Sequence, residues 1–160
     1  MSTRHRTVVL SAVFLILALV ASTALQSSSA QGPAVTAAPT EPQPVEDDMH
    51  EFMEYAFEPA YLRLKQALAA QPANNVAWKG IKSDALTLAE GGNLLLLRPD
   101  SGDAAAWNDL STAVRQAGKQ LYAAGKKRDF ATARPAYEAM LLKCNACHTK
   151  FADGEHQLVP

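Results

Sequence analysis

The stretch "KCNACHTKFADG", residues 143–154, decides the fold class of this chain, because it places a distinctive cluster at the end of a helical sequence. It holds the only two cysteines of the chain, Cys144 and Cys147, and His148 follows the second one directly. From Tyr137 to Phe151 the apolar positions recur at threes and fours, the spacing of one helix face. The cluster therefore lies late in a helix, and its chemistry depends on the compartment and on the preceding helices.

The residues around and before this motif are helical in pattern. Residues 47–152 show no strand-like alternation, hold few β-branched residues and are rich in Ala, Leu, Lys and Glu, which favours helix. We predict four helices: about Asp47–Ala70, about Ala73–Leu97, one from "PDSGD" at 99–103 to Gly125, and one from Asp129–Thr132 through the motif. Short links between amphipathic helices predict an all-α, antiparallel four-helix bundle.

Each predicted helix has one apolar face that should form the core. The residues expected to point inward are Met49, Met53, Ala56, Ala60, Leu64 and Ala67 in the first helix; Trp78, Ile81, Ala85, Leu88 and Leu95 in the second; Trp107, Leu110, Val114, Ala117 and Leu121 in the third; and Tyr137, Leu141, Cys144, Cys147, His148 and Phe151 in the fourth. Phe52 and Phe57 flank the first of these faces.

Residues at the helix ends fit the expected boundaries. Asp47 and Asp48 sit where acidic residues suit a helix start, and Ser101 or Asp103 can cap the third helix. Gly125 is well placed to close that helix.

Proline and glycine interrupt the pattern at three places. Pro59 falls inside the first helix and should kink or divide it. Pro135 is tolerable only in the first turn of the fourth helix, where its missing amide hydrogen has no partner anyway. Gly91 and Gly92 should weaken the second helix.

The composition bounds the class of protein. The chain has 160 residues, of which 48% are apolar and 19% charged, with a formal charge of −1. This suits one small globular domain and points to no nucleic acid or strongly acidic partner. We expect no enzyme, because the sequence has no evident acid–base pair, activated nucleophile or phosphate loop.

The first thirty residues resemble a targeting segment. Arg4 and Arg6 precede the apolar run "TVVLSAVFLILALVASTAL", and "SSSA" at 27–30 offers small residues for cleavage after Ala30, with Ala24 as an alternative. We predict a signal peptide at residues 1–30 and a periplasmic or otherwise exported domain. An apolar run of roughly 18 residues can also span a bilayer, so an uncleaved membrane anchor is the alternative, and the only route to membrane attachment.

Two segments flank the predicted domain of residues 47–152. Residues 31–46, "QGPAVTAAPTEPQPVE", contain four prolines and little apolar surface, which predicts a disordered or extended linker. Residues 153–160 form a polar tail, in which His156 receives no role.

The cysteines allow four interpretations. An exported protein can form a disulfide between Cys144 and Cys147. A thioredoxin-like pair needs a strand before a helix start, whereas this pair lies late in a helix. Structural zinc needs a fourth ligand, for which only His156 could be proposed. The fourth interpretation is one covalent haem c, because C-x-x-C-H gives two thiols for the haem vinyl groups and an adjacent imidazole, His148, for the iron. Export favours it, since this attachment takes place outside the cytoplasm.

The position of "CNACHTKF", residues 144–151, at the end of the fourth helix resembles the cytochrome c-prime family, the class II c-type cytochromes, and their low-spin methionine-ligated relatives. The resemblance covers residues 47–152 and includes Phe151, three residues after His148. It implies a four-helix bundle, often dimeric, with His148 as the proximal ligand. That family typically has a basic residue after the aromatic one. Ala152 stands there, so a role towards the haem propionates or the histidine passes to Lys150 or is absent.

The second axial ligand is expected from upstream, since no methionine follows the motif in this sequence. In the resembling family the first helix covers that face of the haem, with either an apolar residue or a methionine. Met53 lies centrally on the apolar face of the first helix and is our predicted ligand, with Met49 and His50 as alternatives. Met140, one turn before Cys144, can line the pocket but cannot close its far side.

These residues lead to three hypotheses. The first is electron transfer by a six-coordinate haem bound to His148 and Met53, with redox proteins as partners and a homodimer as a possible assembly. The second is binding of nitric oxide or carbon monoxide at a five-coordinate haem. The third is a disulfide protein without a cofactor. The basic residues Lys126, Lys127 and Arg128 form a solvated corner or a docking site for an acidic redox partner.

Overall fold

The computed structural model describes residues 41–100 and 102–160. The predicted signal peptide or anchor, residues 1–30, and most of the predicted linker lie outside the described residues. Within the part that is described, no helix is both long and apolar enough to cross a membrane.

The described residues form helices and contain no strand. The helices are α1 (Met49–Phe52), α2 (Glu58–Ala67), α3 (Asn75–Leu95), α4 (Ala104–Lys127) and α5 (Phe130–Phe151), and a π turn (Met53–Phe57) joins α1 directly to α2. We call α1, the π turn and α2 together the first helix. Four packed helices therefore make up the fold, and the predicted all-α bundle is confirmed at this level.

An aspartate or asparagine occupies the N-cap position of each of the four helices, where these residue types are preferred. Asp48, Asn74, Asp103 and Asp129 each accept a hydrogen bond from a backbone N–H of the first turn that follows. Asp103 thus caps α4, as predicted, while Ser101 lies outside the described residues.

The end of α4 differs from the prediction. Gly125 does not close the helix, which continues to Lys127, and Arg128 takes the left-handed conformation with a φ of 57°. Gly125 is buried instead, and a Cβ there would lie 3.3 Å from a side-chain carbon of Lys82. The prediction was wrong because a glycine that lets two helices approach looks the same in sequence as a glycine that caps one.

The two helical prolines behave differently. Pro59 interrupts the first helix, as predicted, and follows the π turn in the first turn of α2. Pro135 is the sixth residue of α5, counted from Phe130, so its predicted place in the first turn was wrong. The hydrogen bond that it forgoes would go to the carbonyl of Ala131, an exposed residue that water can reach.

One apolar cluster, the main core, joins all four helices, and most of the residues predicted to point inward belong to it or pack against it. Its most deeply buried large side chains are Leu64, Leu68, Ile81, Leu121, Tyr137 and Met140. The buried residue at the end of the first helix is Leu68, whereas the predicted Ala67 is half-buried. Trp78 and Trp107 are buried core residues, as expected.

Glycines let α3 and α4 pack closely. A Cβ at Gly92 would lie 2.7 Å from the backbone nitrogen of Arg115, and one at Gly118 would lie 2.9 Å from the Cα of Ala89. The cost of glycine inside α3, predicted from Gly91 and Gly92, is therefore offset by contacts that no larger residue allows.

Candidate functional site

A cavity of about 910 Å³ has walls from the first helix, from α3 and α4, and from α5. This is within the range of roughly 300–1,000 Å³ that small-molecule and cofactor pockets occupy. The lining includes eight side chains that the sequence singled out, namely Met49, His50, Met53, Met140, Cys144, Cys147, His148 and Phe151. The structure thus brings the motif and the candidate axial ligands of the first helix to one cavity.

The cavity exists because the first helix and α5 are held apart at one end. Close backbone packing joins α2 to α3, α3 to α4 and α4 to α5, whereas the first helix and α5 have scarcely any close backbone approach. At the other end the two are tied together, since Arg134 Nη1 donates to the carbonyl oxygen of Leu68 at 2.9 Å. The cavity therefore lies between two helices whose backbones are not closely packed against each other.

Cys144 and Cys147 are free thiols one turn apart on α5. Cys144 is half-buried against the main core, while Cys147 is buried in a second cluster with Phe52, Leu95 and Trp107, which we call the aromatic cluster. Burial is the main cause that raises the pKa of Cys144 to about 12, and the nearby Cys147 adds to it. Burial also raises the pKa of Cys147. Both thiols therefore stay protonated at neutral pH, unlike the reactive thiol of a thioredoxin-like pair, whose pKa is lowered.

His148 lies half-buried at the cavity, with a defined orientation. Its Nδ1 is 2.8 Å from the backbone oxygen of His156. Because a carbonyl oxygen can only accept, Nδ1 carries the hydrogen and donates it, which leaves the lone pair on Nε2. Burial lowers the pKa of His148 and favours the neutral ring. A neutral imidazole with a free Nε2 and a hydrogen-bonded Nδ1 is the form in which histidine binds a metal.

Met49 and Met53 are both half-buried and pack against the aromatic cluster. The π turn begins at Met53. The backbone N–H of Glu58 donates to the carbonyl of Met53, so this hydrogen bond spans five residues instead of the four of an α-helix. One extra residue rotates the turn that carries Met49 and Met53 by about 100° relative to α2, compared with a continuous α-helix. The two methionines, four residues apart on one helix face, both line the cavity.

His50 is more exposed than either methionine. Its side chain is 69% exposed, and Nε2 lies 3.7 Å from a carboxylate oxygen of Glu54. Its ring is 5.9 Å from the ring of His156, between centroids.

The residues after His148 are engaged with α4. The ring of Phe151 packs edge-on against Trp107, with 5.0 Å between centroids, and the indole N–H of Trp107 donates to the carbonyl of Leu95 at 2.9 Å. Lys150 Nζ lies 3.0 Å from a carboxylate oxygen of Asp103, the residue that caps α4. Lys150 is thus held by a carboxylate of the protein itself.

Two parts of the site escaped the sequence reasoning. Arg98 stands over the ring of Phe52 at 3.9 Å from its centroid and donates from Nε to the carbonyl of Glu46 at 3.1 Å. The tail contributes the carbonyl of His156. The sequence gives no signal for either contact, because both acceptors are backbone oxygens. The oxygen of Glu46 is distant from Arg98 in sequence, and that of His156 lies after a turn.

The zinc interpretation finds no support in the geometry. Within residues 41–100 and 102–160, no three His, Cys, Asp or Glu side chains come together as metal ligands. The ring of His156 is largely exposed, and the atom that faces His148 is its backbone oxygen.

Comparison of the chain with protein-family models, with curated proteins and with solved structures gave no match.

Proposed function

We propose that this protein is an exported c-type cytochrome that carries electrons on one covalently bound haem. The observation that supports it best is that Cys144, Cys147 and His148, in C-x-x-C-H order, line a single cavity with both thiols free and Nε2 of His148 available. This is the donor set that haem c requires. Bound haem would supply a one-electron couple, and the protein's part is to hold it and to shield it.

The residues present fit such a group. Cys144 and Cys147 would hold it by thioether bonds, and His148 would bind its iron. The cavity wall is mostly apolar, and the aromatic cluster that forms part of it excludes water from that side. A dry surrounding reduces the reorganisation of water that accompanies each change of charge and stabilises the less charged state.

The bundle in this proposal is antiparallel and resembles the class II cytochromes. Two contacts support an antiparallel orientation of the first helix and α5. Leu68, at the end of α2, meets Arg134 near the start of α5, and Met53, near the start of the first helix, shares the aromatic cluster with Cys147 near the end of α5.

Met53 is the proposed sixth ligand, and with His148 it would make the haem six-coordinate. It lies at the first residue of the π turn and in the aromatic cluster together with Cys147. π turns inside helices are frequent at functional sites. A thioether ligand raises the reduction potential of a haem, which suits electron transfer.

A second function is favoured by one observation. Met49 and Met53 line the cavity but are only half-buried, whereas Phe52 between them is buried in the same cluster as Cys147. If neither thioether reached the iron, the haem would be five-coordinate, and such a site binds carbon monoxide or nitric oxide.

The optical spectrum of the purified protein separates the two functions. Electron transfer with Met53 as ligand predicts low-spin bands in both oxidation states, reversible oxidation and reduction, and no rapid binding of carbon monoxide. A high-spin spectrum that changes at once when carbon monoxide is added to the reduced protein would replace the first function by the second.

Redox proteins are the proposed partners. Lys126, Lys127 and Arg128 are exposed at the corner between α4 and α5, where they offer a positive surface to an acidic partner. Docking at this corner predicts electron-transfer rates that fall as ionic strength rises.

A further inference from the structure

The last six residues of the chain, 155–160, bind back onto the bundle. We call this segment the C-terminal strap. Asn145 of α5 pairs with both backbone groups of Leu158: its Nδ2 donates to the oxygen at 2.9 Å and its Oδ1 accepts from the nitrogen at 2.8 Å. The side chain of Leu158 packs against the main core. The strap is therefore attached to α5 by polar and apolar contacts together.

The same strap is attached to the first helix. The hydroxyl of Tyr61 donates to the carbonyl of Val159 at 2.9 Å and accepts from its N–H at 3.3 Å. Lys65 Nζ donates to the same carbonyl at 3.1 Å. The strap thus connects the two helices that form opposite walls of the cavity.

The chain reverses direction sharply between α5 and the strap. Asp153, Gly154 and His156 have φ values of 49°, 78° and 55°, in the left-handed region that few side chains adopt but Asn, Asp and His tolerate best. The carbonyl of His148 accepts from the amides of Ala152 and Gly154 at 2.9 and 3.1 Å. This turn carries the backbone oxygen of His156 to Nδ1 of His148.

We propose that the C-terminal strap is a positioning element for His148. Through the carbonyl of His156 it fixes the hydrogen on Nδ1 and holds the ring so that Nε2 is the free nitrogen. An acceptor on the outer nitrogen of a ligating histidine sets its tautomer and orientation and makes it a stronger donor to a metal. For the redox readout alone, the inference rests on the proposed haem function.

The acceptor is a backbone atom, so the variants act on what holds it. Asn145→Ala removes both hydrogen bonds to Leu158, and Tyr61→Phe removes the two that Tyr61 makes with Val159 while the bond from Lys65 remains. A chain that ends at Glu155 lacks His156 altogether. His156→Asn is the matched control, because it deletes the ring, keeps the carbonyl and tolerates the positive φ.

The first readout is nitrogen-15 spectroscopy of the histidines in the full chain as purified, which reports the tautomer of His148 whether or not haem is bound. We expect a single Nδ1–H tautomer with slow hydrogen exchange in the wild type and in His156→Asn. In the shortened chain and in Asn145→Ala we expect faster exchange, with a smaller change in Tyr61→Phe. If the shortened chain fails to fold, the two single substitutions decide.

The second readout is the reduction potential of the haem-loaded variants. A weaker donor stabilises the ferric state less, so the potential should rise in Asn145→Ala and stay near the wild-type value in His156→Asn. Unchanged exchange at Nδ1 in both Asn145→Ala and the shortened chain would overturn the inference, as would an effect of His156→Asn equal to theirs. A chain that lacks haem but shows the predicted exchange would sink the proposed function and leave the strap's role standing.

Discussion

Met53 of the first helix packs against the apolar cluster that contains Cys147 of α5, and both residues line the cavity. This cluster brings together the start of the first helix and the end of the last one, where the backbones themselves hardly approach. Under the proposed function, a haem attached to Cys147 in this cavity would lie against the side chains of the first helix, and Met53 would be the ligand that they supply.

Replacing Met53 by alanine should remove the sixth ligand. Because Met53 and Met49 both pack against the aromatic cluster, Met49→Ala is the matched control. In Met53→Ala we expect the methionine signature in magnetic and near-infrared spectra to disappear and the iron to become high-spin, whereas Met49→Ala should remain low-spin. The opposite pattern would assign the ligand to Met49, and two unchanged spectra would exclude both.

Filling the close contact between α3 and α4 should destabilise the fold. Gly92→Ala places a Cβ 2.7 Å from the backbone of Arg115, and forced overpacking costs about 1–3 kcal/mol in the free energy of unfolding. Gly80 is exposed in the same helix with nothing within 4 Å of its Cβ position. Gly80→Ala should therefore stabilise the protein by roughly 0.8–1.0 kcal/mol. The denaturant midpoint of each variant measures its change in stability. If Gly92→Ala and Gly80→Ala shifted the midpoint equally and in the same direction, the proposed close packing at Gly92 would be contradicted.

Acid should weaken the link between α4 and α5. The hydrogen bond from the backbone N–H of Ala106 is the main cause that lowers the pKa of Asp103 from its ordinary value near 3.8, and the Lys150 side chain lowers it further. A carboxylate whose folded pKa is depressed adds stability above its unfolded pKa and loses it as pH falls through the folded value. The unfolding midpoint should therefore fall less steeply below pH 4 in Asp103→Asn than in the wild type or in Asp109→Asn, an exposed control on α4. Parallel curves for all three would refute it.

The predicted linker should be dispensable for folding, with one exception at its end. Arg98 Nε donates to the carbonyl of Glu46, a bond worth about 0.5–1.5 kcal/mol. We expect a chain that starts at Asp47 behind a foreign leader to fold and to acquire haem, with a thermal midpoint slightly below that of a chain starting at Gln43. Loss of helical content or of haem in the shorter chain would show that the domain boundary is wrong.

The helical part of the fold could be predicted because its signals are local. Asp103 caps its helix by contacts within three residues, and the buried faces repeat with the helical period. The burial of Leu68 in place of Ala67 could not be predicted, since residues three and four positions after Leu64 both lie on the same helix face. The roles of Gly125 and Pro135 depend on neighbouring helices and on water, which the local pattern does not contain.

The candidate site divides in the same way. The spacing of Cys144, Cys147 and His148 is a local signal, and a regular helix carries all three to one cavity. The partner of His148 is a backbone oxygen, and the position of Arg98 depends on Glu46 and Phe52. Backbone acceptors and distant partners leave no mark in composition or period, so only the structure shows them.

Covalent attachment of haem tests the central claim most directly. The full chain, the variants Cys144→Ser and Cys147→Ser, and the control Ala146→Ser, which adds a hydroxyl between the cysteines, should be produced in a host that exports proteins and attaches haem. After denaturation, the intact mass of the wild type and of the control should include one haem. Each cysteine variant should carry much less, and the double variant none. A wild-type mass equal to that of the bare polypeptide, or haem that acidified solvent extracts, would contradict the account.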